Sequence, residues 1–229
     1  MSLRLKSNSA KVWNIITGIA RVVIRTLVEA VHRLIINIFD MLLGFLNWPE
    51  KKLRVKIFIL QDLQAEPVVS SADLEPAIAY ARRSFKKNFN VNLLPRHDKE
   101  PFAEVLQKKV PPEVLHTEGS IGALGAEFKT AGSFFAANLS GIFYPLTAFI
   151  VIDIRGATGC SLGPITDYVT LDPFGAKNTS ILAHELAHAC GLWHIKQRSN
   201  LLWPSDDRGD EVKWWQKNLF RSSRHVTYW

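Results

Sequence analysis

Residues 184 to 194 read HELAHACGLWH, and they hold three histidines, a glutamate and a glycine at spacings that suit a metal centre. His184 and His188 are four residues apart, so on a helix their side chains share one face and can bind one ion. Zinc accepts neutral imidazole nitrogens, and a catalytic zinc keeps one position for water. Glu185 follows the first histidine directly, which places a carboxylate beside that water as a general base. The spacing therefore predicts one zinc ion and hydrolytic chemistry.

The glycine and the third histidine make this signal more specific. Gly191 is expected to end the helix, because glycine adopts the positive φ that a sharp turn requires. His194, three residues further on, can then turn back toward the first two histidines. We expect it to be the third metal ligand.

The extended string HExxHxxGxxH resembles the motif of the metzincin clan of zinc peptidases. The residues that match are His184, Glu185, His188, Gly191 and His194. The resemblance implies an endopeptidase in which Glu185 activates a zinc-bound water. It also implies a twisted sheet, the motif helix, and a methionine-containing turn below the zinc. In motif it covers residues 184–205, and in architecture about residues 53–229.

Three departures from the clan pattern follow the motif. Residues 200–205 (NLLWPS) are similar to the methionine turn, with Leu202 in the place of the methionine. That methionine is a hydrophobic floor and not a ligand, and leucine is close to it in volume. Ile195 matches no subfamily marker, and Pro204 stands where some members carry a tyrosine ligand. The resemblance therefore implies the clan, a leucine floor and no fifth protein ligand, but no subfamily.

The resemblance also implies where a peptide or protein substrate would lie. The strand predicted at residues 159–165 would pair with the substrate backbone by strand addition. Residues 203–205 would wall the pocket for the side chain that follows the cleaved bond.

The elements that must position these residues alternate along the chain. Strand patterns occupy residues 53–60, 89–94, 147–154, 159–165 and 167–171, and helix patterns occupy 72–85, 178–190 and 207–220. Such alternation predicts an α/β (α+β, zincin-like) fold with a mixed, mostly parallel twisted sheet and the motif helix beneath it. Residues 102–144 have poor periodicity, and only a helix or two are expected there.

The net charge of +7 is confined to one end of the chain. Residues 1–56 carry ten Lys or Arg against three acidic residues, and the rest has 18 of each sign. The neutral remainder has no phosphate-binding loop and no basic-aromatic pattern, so nucleic acid is not an expected partner. Two cysteines, Cys160 and Cys190, are too few for a disulfide scaffold. One bridge and two free thiols both stay open, with Cys190 favoured as a buried core thiol.

Polar residues recur every three or four positions from residue 14 to residue 47, and the residues between them are largely apolar. This predicts a long apolar helix with one narrow polar stripe, which must be covered by something. Charges interrupt any signal peptide or spanning segment. Basic clusters at both ends of residues 1–48 favour attachment of this segment to a membrane surface that contains anionic lipid. We expect peripheral or monotopic attachment, with the cytoplasmic face favoured; a partner surface and packing on the chain's own domain are the alternatives.

The boundary between the two regions falls at WPEKK, residues 48–52, where a proline and a charge run break the helical pattern. Residues 1–52 are therefore interpreted as a membrane-associating segment and residues 53–229 as the zinc peptidase domain. Two other functions remain open at this stage. The chain could be a non-catalytic, zinc-stabilised adhesion or scaffold module, or a latent protease whose residues 1–52 act as a pro-segment.

Overall fold

The computed structural model describes residues 31, 34–107, 110–118 and 146–228 of the chain. Within these residues, nine strands form a seven-stranded sheet and a separate two-stranded sheet. The strands are β1 (Lys51–Ile59), β2 (Val91–Pro95), β3 (Ala103–Val105), β4 (His116–Glu118), β5 (Leu146–Ile150), β6 (Asp153–Arg155), β7 (Gly159–Ser161), β8 (Tyr168–Leu171) and β9 (Val226–Thr227).

The large sheet has the order β2-β1-β5-β8-β7, and β3 and β9 also pair with β1. The pairings of β1 with β2, β3 and β5, and of β5 with β8, are parallel. Strand β7 lies antiparallel to β8, and β9 lies antiparallel to β1. The prediction of a mixed, mostly parallel sheet is therefore confirmed.

Helices cover both faces of this sheet. They are α1 (residues 34–43), α2 (Glu75–Phe89), α3 (Pro112–Leu115), α4 (Pro173–Lys177), α5 (Ile181–Ala189) and α6 (Trp214–Ser222). Successive residues of β1 belong to different cores, with Ile57 in the cluster that includes α2 and α5, and Phe58 in a cluster on the other face. Burial on both faces explains why the end of β1 (residues 57–59) and most of β5 are apolar.

Several predicted boundaries were wrong, each for a tertiary reason. The last helix begins at Trp214 and not at residue 207, because the chain before it packs on an earlier loop. At Gly209 a Cβ atom would lie 2.2 Å from the Ser199 carbonyl oxygen, and the Gly209 N–H donates to the Arg198 carbonyl. This close approach requires a glycine and excludes a helix there.

The other boundaries shifted where the chain leaves the sheet or turns. The strand predicted over 147–154 divides after Ile150, and the N–H of Ile152 donates to the Leu115 carbonyl near the small sheet. The strand predicted over 159–165 ends at Ser161, and Gly163–Ile165 form a 3-10 turn. Helix α2 follows a capped 3-10 turn at Ser71–Leu74 and continues to Phe89.

Part of the predicted long N-terminal helix lies outside the described residues, namely residues 1–30. The described part is helical over residues 34–43 and continues into a 3-10 turn at Gly44–Leu46. Among the described residues, none of the helices combines the length and the apolar character needed to cross a bilayer.

Candidate metal centre and its cleft

Helix α5 and the loop after it bring the three motif histidines together. The Nε2 atom of His184 lies 3.0 Å from Nε2 of His188 and 3.1 Å from Nε2 of His194. Among the described residues, these three are the group of His, Cys, Asp or Glu side chains that could hold a metal ion.

Backbone carbonyls determine which ring nitrogens carry protons. Nδ1 of His184 lies 2.8 Å from the Leu201 carbonyl oxygen, and Nδ1 of His188 lies 2.7 Å from the Leu192 carbonyl oxygen. A carbonyl oxygen only accepts hydrogen bonds, so both Nδ1 atoms must donate. Burial lowers the pKa of His184 to about 2 and that of His188 to about 4, so both rings are neutral. Their Nε2 atoms therefore face each other as lone pairs, an arrangement that a cation stabilises.

The geometry of the three nitrogens fits zinc. Zinc–nitrogen bonds of about 2.0–2.1 Å in a tetrahedral site place two ligand nitrogens about 3.3 Å apart. The observed separations of 3.0 and 3.1 Å are close to this value. His184, His188 and His194 are thus the residues that would hold the ion.

Gly191 makes the return of His194 possible. It adopts a φ of +92°, in the left-handed region that favours glycine. The N–H of Gly191 donates to the His188 carbonyl, and the N–H of Leu192 donates to the Ala187 carbonyl. These two bonds form a Schellman motif, which ends the helix and turns the chain.

The segment after the third histidine supports the first one. The Leu201 carbonyl of this segment accepts a hydrogen bond from Nδ1 of His184. Oδ1 of Asn200 fixes the turn by accepting a hydrogen bond from the Leu202 N–H at 2.9 Å. The Asn200 amide is itself buried and donates to Gln216 of α6 at 2.8 Å. Leu202 is fully buried in the main core, as expected of a hydrophobic floor. Pro204 is exposed and lines the cleft.

Glu185 is buried beside the histidines. Burial raises its pKa to about 8, while the positive charge of Arg208 opposes the rise. Gly159 on β7 packs directly against it, since a Cβ atom there would lie 2.8 Å from Oε1 of Glu185. Strand β7 therefore fixes where the carboxylate can lie.

A cavity of about 580 Å³ joins these groups. It is lined by strand β7 and the turn after it, by the motif helix and the loop that follows, and by Pro204, Asp206 and Arg208. The Cys160 thiol also lines the cavity, and burial together with the charge of Glu185 raises its pKa to about 11. Cys160 and Cys190 are both free, and Cys190 is buried in the core.

Two charged residues that sequence reasoning missed, Asp206 and Arg208, also line the cavity, and the more buried of them is Arg208. Its side chain is only 4% exposed. Its Nε donates to the Trp203 carbonyl at 3.1 Å, and its Nη1 donates to Oγ of Ser180 at 3.3 Å. The local sequence DDRGD, residues 206–210, has the composition of an exposed charged loop, so no local signal distinguishes this arginine.

Comparison with solved structures finds a likeness to metalloproteinase-II from Bacteroides fragilis. The two are 13% identical with a TM-score of 0.48, and the match covers 70% of this chain and 49% of the other. This chain thus corresponds to about half the length of that structure. No protein-family model matches the chain, and no curated protein matches its sequence. Its function is therefore inferred from the geometry of its own residues.

Proposed function

We propose that this protein is a zinc-dependent endopeptidase of the metzincin type. The observation that carries the proposal is the convergence of three Nε2 atoms with Glu185 beside them. Two of these nitrogens must be unprotonated, because the Nδ1 atoms of His184 and His188 donate to carbonyls. Three such ligands leave one tetrahedral position for water, as catalytic zinc sites do.

Zinc held there would polarise both the water and the scissile carbonyl. Glu185 then accepts a proton from the attacking water and returns it to the leaving amine. A pKa near 8 suits a group that must take and release a proton near neutral pH. The carbonyls of Leu201 and Leu192 hold the two helix histidines in one tautomer and orientation throughout.

Strand β7 offers the backbone that an extended peptide would pair with. Among the described strands it pairs with β8 alone, and its residues line the cavity. An edge strand has unpaired N–H and C=O groups on its outer side, to which a substrate chain can add. A peptide or protein substrate bound in this way would lie alongside Glu185.

The catalytic proposal is tested with Glu185→Gln, which preserves the size of a buried side chain and removes the base. The zinc-loaded wild type should cleave peptides from a mixed library, and the variant should lose about 10²- to 10⁴-fold in kcat/KM. Zinc content, measured by elemental analysis, should be equal in the two proteins. Equal activity in both proteins would contradict the role of Glu185 as the base, and no cleavage by the fully zinc-loaded wild type would support the non-catalytic zinc module instead.

We also propose that residues 1–48 attach the enzyme to an anionic membrane surface. In the described part of this segment, polar positions face the protein body and apolar side chains are exposed, which is the reverse of what a helix in water requires. Its polar-stripe residues Asp40 and Gly44 are buried against the protein body, and Gly44 packs on the backbone of Asn218. Its large apolar side chains are exposed instead. They are Val31, Leu34, Ile35, Ile38, Phe39, Met41, Leu42, Leu43, Phe45, Leu46 and Trp48.

An apolar surface of this kind needs an apolar partner, and its charge pattern favours lipid. Asp40, the acidic residue among residues 34–48, is fully buried in an ion cluster with Lys51 and Arg221, so its charge does not face a lipid surface. Residues 1–56 carry the whole basic excess of the chain, which complements an anionic leaflet. None of the described residues between 34 and 52 lines the cleft, so nothing in that part favours the pro-segment alternative.

Sedimentation with vesicles tests this attachment. The full-length protein should pellet with vesicles that contain phosphatidylserine and much less with purely zwitterionic ones. Changing Ile38 and Leu42 together to glutamate should weaken binding at least about tenfold, because two exposed apolar contacts with lipid are lost. Leu63→Glu is the matched control, since Leu63 is an equally exposed leucine in another part of the protein.

Protein that stays in the supernatant with anionic vesicles contradicts membrane attachment. If it instead forms oligomers that the Ile38 and Leu42 changes dissolve, the apolar surface is a self-association site.

A further inference from the structure

Arg208 lies in the same cavity as the metal-binding histidines and Glu185. The cavity wall there also includes Pro204 and Ile181, the latter one helical turn before Glu185. The Ser180 hydroxyl that accepts from Arg208 belongs to the residue just before α5, so the guanidinium lies at the positive end of that helix. The positive charge of the guanidinium and the positive end of the helix both favour an anion at this end of the cleft.

The guanidinium has hydrogen-bonding capacity left over. Arginine has five N–H groups, and the contacts with Trp203 and Ser180 engage two of them. The carboxylate of Asp206 lies 3.7 Å from Nη2, beyond hydrogen-bonding distance, and its side chain is half exposed. Within the described part of the chain, the Nη2 edge of Arg208 therefore makes one long ion pair with a half-exposed carboxylate that also lines the cavity, and a substrate carboxylate would have to displace it.

A nearly buried arginine with an open edge on a substrate cleft is suited to a carboxylate of the substrate. Guanidinium and carboxylate are geometrically matched and form two parallel charge-assisted hydrogen bonds. Burial strengthens such a pair because little water competes for either partner. A neutral amide of the same shape can offer only one acceptor and no charge.

We propose that Arg208 is a specificity-determining residue that binds a substrate carboxylate, so that peptides with Glu or Asp next to the cleaved bond are preferred. This inference rests on the proposed peptidase function. A free C-terminal carboxylate has the same chemistry as an acidic side chain, and the two sources are separated in the experiment below.

The experiment uses the zinc-loaded, full-length protein. Cleavage sites in a random peptide library are first mapped by mass spectrometry, which identifies the position next to the cleaved bond where acidic residues are enriched. Three peptides are then compared: one with Glu at that position and an amidated C terminus, its Gln counterpart, and the Gln peptide with a free C terminus. The measured quantity is the ratio of kcat/KM values for the Glu and Gln peptides.

The wild type should prefer the Glu peptide by about ten- to a hundredfold, the usual range for a hydrogen-bonded charge pair away from bulk water. In Arg208→Gln the ratio should fall to near one, and in Arg208→Lys a reduced preference for Glu should remain. Arg198→Gln is the matched control, because Arg198 is an exposed arginine of a neighbouring loop whose side chain pairs with Asp207. That control should keep the wild-type ratio.

A ratio near one in the wild type, or an unchanged ratio in Arg208→Gln, overturns the inference. A folding defect lowers the rates for both peptides together and leaves the ratio alone. If Arg208 serves only as a counter-charge for Glu185, both rates fall and their pH profile shifts, again at constant ratio. If the free C terminus and not the Glu side chain restores the rate, the carboxylate is the terminal one and the side-chain preference is wrong.

Binding separates this inference from the peptidase proposal. Calorimetric titration with short product-like peptides should show tighter binding of the Glu than of the Gln form, and the difference should vanish in Arg208→Gln. If no peptide is cleaved but this Arg208-dependent difference in binding is observed, the peptidase proposal is contradicted and the role of Arg208 is not. Equal binding of the two forms by the wild type contradicts the role of Arg208.

Discussion

At the scale of single residues, the sequence predicted the groups that contact one another through helical spacing and a glycine turn. His184, His188 and His194 meet because three- and four-residue intervals and the positive φ of Gly191 are properties of the local chain. The carbonyl of Leu201 and the wall residue Arg208 reach the site through loops that return from elsewhere. Their positions depend on tertiary packing, which local patterns do not encode.

The contact between Gly159 and Glu185 gives a prediction at this scale. In Gly159→Ala the added methyl carbon would lie 2.8 Å from both Cγ and Oε1 of Glu185, so the carboxylate must move. A shift of about 1 Å at a reacting group can cost about a hundredfold in rate, and we expect a loss of that order in kcat/KM. Zinc content should be unchanged, because the added methyl meets no ligand histidine among its nearest atoms.

Ser161→Ala is the control for this experiment, since it changes the same strand without adding an atom beside Glu185. It should retain nearly full activity. An alanine at position 159 that leaves kcat/KM at the wild-type level would mean that the placement of Glu185 is less constrained than the packing of Gly159 suggests.

At the scale of elements, strands buried on both faces were the easiest to predict. The apolar runs that became the end of β1 and β5 require cover on two sides, and any fold must bury them. Element ends were predicted less well, because they depend on partners distant in sequence. The loop before α6 stays non-helical through backbone bonds between Gly209 and Arg198 and between Glu211 and Ser199. The sequence of residues 207–213 alone does not indicate those hydrogen bonds.

The N-terminal helix shows a further limit of pattern reasoning. Of the predicted polar stripe, the described residues Asp40 and Gly44 lie on one buried side, but the spacing of a stripe does not indicate which side of a helix faces water. Asp40 points into the protein body because it forms ion pairs there with two cations, Lys51 and Arg221. The apolar majority of the helix surface is consequently left exposed.

At the scale of the whole molecule, one buried ion cluster joins α1, β1 and α6. Nζ of Lys51 on β1 donates to Asp40 on α1 at 2.7 Å and to the carbonyl of Arg221 on α6 at 2.6 Å. Arg221 also donates to the carbonyls of Phe89 and Pro49. The apolar surface of residues 34–48 is therefore fixed to the rest of the described protein through this cluster, so that the proposed membrane contact would also orient the histidine-lined cavity.

Asp40→Ala tests this connection. The change leaves the charges of Lys51 and Arg221 buried without a carboxylate, and breaking such a cluster typically costs about 3–5 kcal/mol of unfolding free energy. Burial lowers the pKa of Lys51 below its usual 10.5, and Asp40 opposes that shift. Without Asp40, folded Lys51 releases its proton at a lower pH than the unfolded chain does. The unfolded state then binds more protons up to pH 10.5, so the stability of the variant should recover as pH rises. Urea unfolding at pH 7 and pH 9 should show that the variant's loss of unfolding free energy relative to the wild type is smaller at pH 9.

Glu50→Ala, which removes an exposed ion pair with Lys86, is the control and should change stability little at either pH. An Asp40 variant as stable as the wild type at pH 7 would show that this cluster does not hold the N-terminal segment on the protein.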